Sequence, residues 1–347
     1  MNNERAITCP GATLGIGWGF LYGYQHVPAP RFLPELRQLG AGLTKVNLFW
    51  NQVEPQRGEY DWQAVDAYVQ QLADPEEGWI ALFSSSLWAA RRPAALLPGS
   101  PANDPEDYYR FVHDLVKRCT GRVRYWQNDA EPNNPVFWAG TEEDYGAQLK
   151  VFYRAVKDAD PAAVVVVGGY DGLFNPPGMP PFPNQQAGLD FFDFVLRAGA
   201  GAFDLFDMHL YNDPYTIPAC VDFMRQKIAA SGNDVPIVSS EYGGPGFFAF
   251  AENRQYLPLI TSWAQSGLET GEQGLPGQDS TGKGQIEALY QNMADLPPQT
   301  QMFMQGCPLE LQARFERIQA RDLVIRTVLG LSAGAQKMIY WQLLAGS

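Results

Sequence analysis

The chain has 347 residues, enough to bury one large core, and its 46% hydrophobic and 18% charged shares are those of a folded globular protein, which sets disorder aside. A net charge of −13 argues against nucleic acid, because a phosphate backbone calls for a basic patch. No apolar run is long enough to span a bilayer.

In chain order, Met1 to Pro10 lacks the basic-then-apolar pattern of a secretory leader, so a cytoplasmic protein is expected if this start is native. A repeated rhythm follows, of a short apolar run, a turn and an amphipathic helix. The predicted strands are Thr13–Phe20, Leu43–Trp50, Trp79–Ser84, Val123–Trp126, Val164–Val167, Leu205–Leu210, Ile237–Ser240 and Lys337–Trp341. Between them, Trp62, Val65, Val69 and Leu72 mark one helix, and Tyr108, Phe111, Val112, Leu115, Val116 and Cys119 another, at the spacing of one buried stripe. Tyr145, Leu149, Phe152, Tyr153 and Val156 mark a third, opened by Thr141 with Asp144 three residues on, a capping-box pattern. Val164–Val167 shows no polar alternation, as a parallel strand covered on both faces requires.

Strands alternating with helices leave an open doubly wound sheet or a closed barrel. No GxGxxG or GxxxxGK[ST] follows any strand, which removes the nucleotide-binding support for the open sheet, and eight units favour an α/β fold of the (β/α)8 TIM-barrel type. The seventh strand is followed by about 65 residues, 244–308, before a helix starting near Leu309, far more than an ordinary connection. This insertion, with helical stretches at Glu252–Gln265 and Ile286–Ala294 around a Gly/Gln-rich link at Gly267–Gly284, is expected to lie over the active-site face. Ser347 follows the eighth strand almost at once, which reads as a single barrel over 1–347 cut short after that strand. The four cysteines, Cys9, Cys119, Cys220 and Cys307, and the three histidines are scattered without metal-ligand spacing, so no zinc site is suggested, and a disulfide stays open.

In a barrel the loops after the strands build the site. Glu131 follows the fourth strand in Tyr125-Trp-Gln-Asn-Asp-Ala-Glu-Pro-Asn-Asn134, and Glu241 ends the seventh in Pro236-Ile-Val-Ser-Ser-Glu-Tyr-Gly-Gly244. Two carboxyls converging across a barrel mouth, about 5–5.5 Å apart, are what a retaining glycosidase needs: one donates a proton to the leaving oxygen and the other attacks the anomeric carbon. The 13% aromatic content, with 9 Trp and 16 Tyr, also supplies flat faces of the kind a pyranose stacks on, though most such rings fill the core.

The constellation resembles clan A of the glycoside hydrolases, most like the β-xylosidase/α-L-iduronidase-type or the cellulase-like families. The resemblance rests on Trp50-Asn-Gln-Val-Glu-Pro55 with Gly58-Glu-Tyr-Asp-Trp62, on Glu131-Pro-Asn133, on His209-Leu-Tyr211, on Glu241 and on Trp341, in the correct strand order. It implies Glu131 as acid/base and Glu241 as nucleophile, Tyr211 bonded to Glu241, His209 lining the sugar site and Trp341 as a platform beneath the sugar, with Trp50 and Trp88 as further contacts. It implies a saccharide or glycoside substrate and no cofactor. Two departures stand out. The clan usually has Asn immediately before the acid/base, bound to the sugar 2-hydroxyl; here Ala130 stands there, so the enzyme is slow, a neighbour such as Asn128 or Asp129 takes over, or the substrate carries a different 2-substituent, and the second is the expectation. The clan often has Arg on the second strand, where this chain has Lys45, which keeps the charge and loses the planar fork. These departures motivate a second reading, a catalytically weak or inactive carbohydrate-binding barrel. An unrelated barrel enzyme is a third, since fold alone does not fix function. Oligomeric state is not legible in the sequence.

Overall fold

The computed structural model describes residues 13–20, 36–170, 185–259 and 280–341, together with Leu33, Asn175, Gly178 and Met179. Cys9, the chain start, most of the Gly267–Gly284 link and the residues after Trp341 lie outside the described residues.

Eight strands close into a barrel in sequence order: β1 (Thr13–Phe20), β2 (Leu43–Phe49), β3 (Gly78–Phe83), β4 (Tyr125–Asn128), β5 (Val164–Tyr170), β6 (Leu205–Met208), β7 (Ile237–Tyr242) and β8 (Lys337–Tyr340). All neighbouring pairs are parallel, including β1 with β8. This is the expected (β/α)8 barrel.

Side chains alternate along each strand, so one set points into the barrel and the next toward the helices. Leu43, Trp79, Tyr125, Val166, Leu205, Val238 and Ile339, from seven of the strands, meet in one buried layer that forms the floor. Two residues further along, the inward layer turns polar: Lys45, Gln127, Asp207 and Ser240 are each fully buried. A barrel interior stacks such layers, and here the polar one stands between an apolar floor and the mouth.

The helices around the barrel match the spacing in the sequence. In chain order they are α1 (Trp50–Val53), α2 (Gln63–Val69), α3 (Pro105–Arg118), α4 (Glu142–Ala159), α5 (Gln185–Ala198) and α6 (Ile217–Ala230). Asp104 caps α3 by accepting from the Glu106 amide, and Thr141 and Asp144 form the reciprocal box at the start of α4. β4 begins two residues later than its apolar run suggests. The polar Gln127 and Asn128 belong to the strand because both find buried partners. Gln127 bonds Trp79 and Asp207 inside the barrel, while Asn128 bonds Tyr108 on the helix side.

Residues 243–325 form a second compact unit. It has a small core of its own. Phe303 packs against Phe247, Phe250 and Phe315 at centroid distances of 4.5–5.7 Å. Fully buried Asn253 donates to the Phe247 and Gln299 carbonyls and accepts from Thr300 Oγ1 at 2.5 Å. Over the expected first helical stretch, Ala251–Tyr256 is a 3-10 turn; the second is divided between α7 (Ser280–Gln291) and a 3-10 turn at Met293–Asp295. The helix expected near Leu309 is α8 (Leu309–Ser332). No described helix is long and apolar enough to cross a membrane. Among the described residues, Cys119, Cys220 and Cys307 form no disulfide.

Candidate active site

Glu131 leaves β4 through a tight turn in which two non-glycine residues take left-handed backbone, Asp129 at φ 54° and Glu131 at φ 48°. Such positions cost on the order of 1–3 kcal/mol each and persist only where the surroundings hold them. The Glu131 amide donates to the Gly169 carbonyl on β5 at 3.0 Å. The Asp129 carboxylate accepts from the Ser84 amide at 2.9 Å and from Ser84 Oγ at 3.1 Å. The strained turn is thus pinned to both neighbouring strands.

Glu241 reaches the mouth by a different device. The β7–β8 register shifts between Ser239 and Tyr242, and this irregularity lets the consecutive residues Ser240 and Glu241 face the same buried cation. Lys45 Nζ donates to Ser240 Oγ and to Glu241 Oε1, both at 2.8 Å. Tyr211 donates its hydroxyl to Glu241 Oε2 at 3.0 Å.

His209, fully buried, sits between the two glutamates. Its Nδ1 lies 2.6 Å from Glu131 Oε1 and 3.7 Å from Glu241 Oε2. One oxygen of each carboxylate and a ring nitrogen of His209 all lie within 4.8 Å of one another. The Glu131 and Glu241 side chains keep 14% and 11% of their surface exposed, enough for a ligand to meet both. Gly169 makes room for His209, since a Cβ there would run into the imidazole and Asp207. Gly17 does the same on β1 for the Trp341 ring, which also lies 5.5 Å from Lys45 Nζ.

The electrostatics differentiate the groups. Burial works against the charge of Glu241, but the His209 and Lys45 cations outweigh it and hold the carboxyl below the ordinary range. For His209 burial again opposes the charge, yet Glu241, Asp207 and Glu131 together push it up to about 10. Burial, then the charges of Glu241 and Glu131, drive the Tyr211 hydroxyl well above the ordinary range, so it remains a donor. The spacing of Glu131, His209 and Glu241 would also admit a divalent cation, with the imidazole deprotonated at the coordinating nitrogen. The arrangement suits proton and nucleophile chemistry.

The structure therefore brings together Glu131, Glu241, Lys45, His209, Tyr211 and Trp341. Four other expected contacts lie elsewhere. Trp50 opens α1, one position past the inward-facing Phe49, and is fully buried on the helix side, stacked on Phe111 of α3 at 5.1 Å with Nε1 on Glu54. Trp88 is half-buried, its edge on Trp50 and its Nε1 donating to the Glu54 carbonyl at 2.9 Å. Asn128 and Asp129 are fully buried. Asn128 points at α3, where Tyr108 donates to it at 2.8 Å, and Asp129 is committed to Ser84. Neither is free to swing into the site for the missing Asn, which corrects that expectation.

The space beside Ala130 is also taken. Ala130 packs with Phe49 and Phe83, whose rings stack at 4.9 Å, and with the partly buried Leu97 and Phe137. An Asn at 130 would place an amide in this apolar cluster. Ala130→Asn should destabilise by about 1–3 kcal/mol in denaturant melts and leave kcat/KM on aryl glycosides no higher than wild type. A tenfold gain would contradict this picture.

Asp129 carries a pH-dependent cost. Burial pushes its carboxyl up to about 7, against the bonds from Ser84. The folded state thus holds this proton more tightly than an unfolded Asp, with its pKa of about 3.9. The associated stability is complete below pH ~4 and is lost as pH rises through about 7. Asp129→Asn removes this contribution, so its melting temperature should fall less between pH 5 and pH 8 than that of wild type. Parallel pH dependences in thermal melts would refute the assignment.

Sequence reasoning passed over Asp207, Gln127 and Ser240, which form the buried layer beneath the glutamates. Asp207 Oδ2 accepts from Gln127 Nε2 at 3.0 Å and from Ser240 Oγ at 2.5 Å, and Oδ1 accepts from the Ser240 amide at 2.6 Å. A signal was present: a carboxylate inside an otherwise apolar strand, two residues before His209 and so on the same face.

No family model matches the chain, and no curated protein matches it. Solved structures do. A glucosidase from Croceicoccus marinus shares 15% identity at a TM-score of 0.56, over 96% of this chain and 59% of that one. A monomeric β-xylosidase from Caulobacter crescentus shares 20% identity at a TM-score of 0.51, over 67% of this chain and 52% of that one. The hyperthermostable endo-1,4-β-D-mannanase from Thermotoga petrophila shares 12% identity at a TM-score of 0.53, over 97% and 90%. What is shared is the fold. The chain spans between half and three-fifths of the length of the first two.

Proposed function

We propose that this chain is a retaining glycoside hydrolase acting on a saccharide or glycoside, β-linked and of plant or microbial origin, with Glu131 as acid/base and Glu241 as nucleophile. The observation that carries the reading is the approach of the two carboxylates, with one oxygen of each within 4.8 Å, from the ends of β4 and β7. That spacing suits direct attack by one carboxylate, whereas inversion requires about 6.5–9.5 Å to admit a water. Three glycosidases of the same fold are consistent with it.

In the first step Glu131 gives its proton to the glycosidic oxygen as Glu241 attacks the anomeric carbon, forming a glycosyl ester and releasing the alcohol. In the second step Glu131, now a carboxylate, takes a proton from water, whose oxygen attacks the same carbon and frees Glu241. Lys45 and Tyr211 hold Glu241 ionised and oriented. His209 donates to Glu131 Oε1, leaving Oε2 for the acid proton, and stabilises the carboxylate that remains once that proton has left. Trp341, beside Lys45, offers the ring on which the sugar would stack.

A panel of nitrophenyl xylosides, glucosides, galactosides and arabinosides tests the reading, which expects turnover of at least one. The alternative, a binding barrel without turnover, draws on the apolar surroundings of Ala130, which leave no amide there for the sugar 2-hydroxyl. Saccharide binding with no turnover on any member of the panel would select it.

A further inference from the structure

The polar layer below the glutamates converges on one carboxylate that the mechanism above leaves unused. Asp207 is fully buried inside the barrel and is met by Gln127, Ser240 and His209. Gln127 approaches from β4, the Ser240 amide and hydroxyl from β7, and His209 Nε2 from the end of its own strand at 3.4 Å. Lys45 on β2 contacts the same Ser240 hydroxyl, and beyond it lie Glu241 and, through the imidazole, Glu131. His209 Nδ1 faces Glu131, and Nε2 lies 3.4 Å from both Asp207 Oδ2 and Ser240 Oγ, whose own proton goes to Asp207.

We propose that Asp207 is a positioning residue that holds His209 as an imidazolium between the two glutamates. A neutral imidazole carries one N–H and can serve one of those carboxylates as donor; serving both requires the second proton. A lone buried cation is costly, and a buried carboxylate on its far side offsets that cost. Asp207 is itself kept ionised. Burial opposes its charge, but His209, Lys45 and the Ser240 hydroxyl hold its carboxyl below the ordinary range. Through Ser240 the same carboxylate also fixes the backbone from which Glu241 projects. Asp207 acts on the reaction through His209, by stabilising the Glu131 carboxylate that appears when the leaving oxygen is protonated. This kinetic consequence rests on the glycosidase reading; the protonation state of His209 does not.

The chain has three histidines, His26, His113 and His209, so a histidine-labelled sample gives a spectrum that His26→Gln and His113→Gln suffice to assign. Nitrogen NMR of wild type should show His209 with both ring nitrogens protonated at pH 8, titrating near 10. A neutral single tautomer at pH 8 overturns the proposal with no variant needed. In Asp207→Asn the His209 midpoint should fall by at least about one pH unit; an unmoved midpoint in a folded variant overturns it. On the best aryl glycoside scaffold, Asp207→Asn should lose at least about tenfold more kcat/KM with a phenol leaving group, which needs the proton, than with a dinitrophenol, which does not. Equal losses would mean a loosened site and would also overturn the proposal. Wild type that turns over no glycoside defeats the glycosidase reading alone, and the His209 midpoints still decide the role of Asp207.

Discussion

Glu241→Gly should lose turnover by at least on the order of 10⁴-fold, because no other group among the described residues is placed to form the glycosyl ester. Lys45 and Tyr211 converge on this carboxylate, one on each oxygen, and would have nothing left to orient. Sodium azide should restore part of the rate by entering the space the carboxylate vacates. Attack from that side displaces the leaving group once, so the glycosyl azide should have inverted configuration. Proton NMR of the product reads the anomer directly. A retained azide product, or a variant that keeps more than a few per cent of its turnover, would show that Glu241 is not the nucleophile.

Glu131→Ala should separate substrates by leaving group. Loss of a general acid costs about 10²–10⁴-fold where the departing oxygen needs a proton, and far less in the first step for dinitrophenyl glycosides. For these, hydrolysis of the glycosyl-enzyme becomes limiting, since the same residue serves as base. Azide needs no base, so it should accelerate turnover and give a product of retained configuration after two displacements. The removal leaves His209 beside Glu241, Asp207 and Ser240, so the variant also tests whether the imidazole can protonate the leaving oxygen. Similar losses on phenyl and dinitrophenyl substrates would deny Glu131 the acid role.

Much of this barrel was legible in the sequence because its strands are covered on both faces and read as apolar runs, Val164–Val167 most plainly. Glu131 and Glu241 stood out for a different reason: one lies just past the end of its strand and the other near the end of its own, where a barrel builds its site. What was hidden depends on partners distant in sequence. The β4 boundary slipped because Gln127 and Asn128 look like loop residues until Asp207, Trp79 and Tyr108 are seen to bond them. Asp207 was masked inside Leu205–Met208 because composition alone counts that strand as core. Trp50 shows the opposite error. Its motif suggested a sugar contact, but it follows inward-facing Phe49 by one position, so the alternation turns it toward α3. The strained turn left little trace in the sequence: Asp takes left-handed backbone more readily than most residues, but nothing about Glu131 announces it. That turn is why Asn128 and Asp129 lie buried while Glu131, two and three residues on, reaches the mouth.

In the proposed reaction Glu241 forms a covalent bond to the sugar while Glu131 manages the proton. Its most direct test is trapping with a 2-deoxy-2-fluoro glycoside bearing a dinitrophenol leaving group, built on the sugar that turns over fastest in the aryl-glycoside panel. The fluorine slows both steps, and the good leaving group lets the first outrun the second, so the glycosyl-enzyme accumulates. Peptide mapping by mass spectrometry should find one equivalent of sugar on the segment containing Glu241, with a matching burst of dinitrophenol. A stable adduct on Glu131 or on any other residue, or turnover of the parent substrate with inversion and no adduct, would contradict the account.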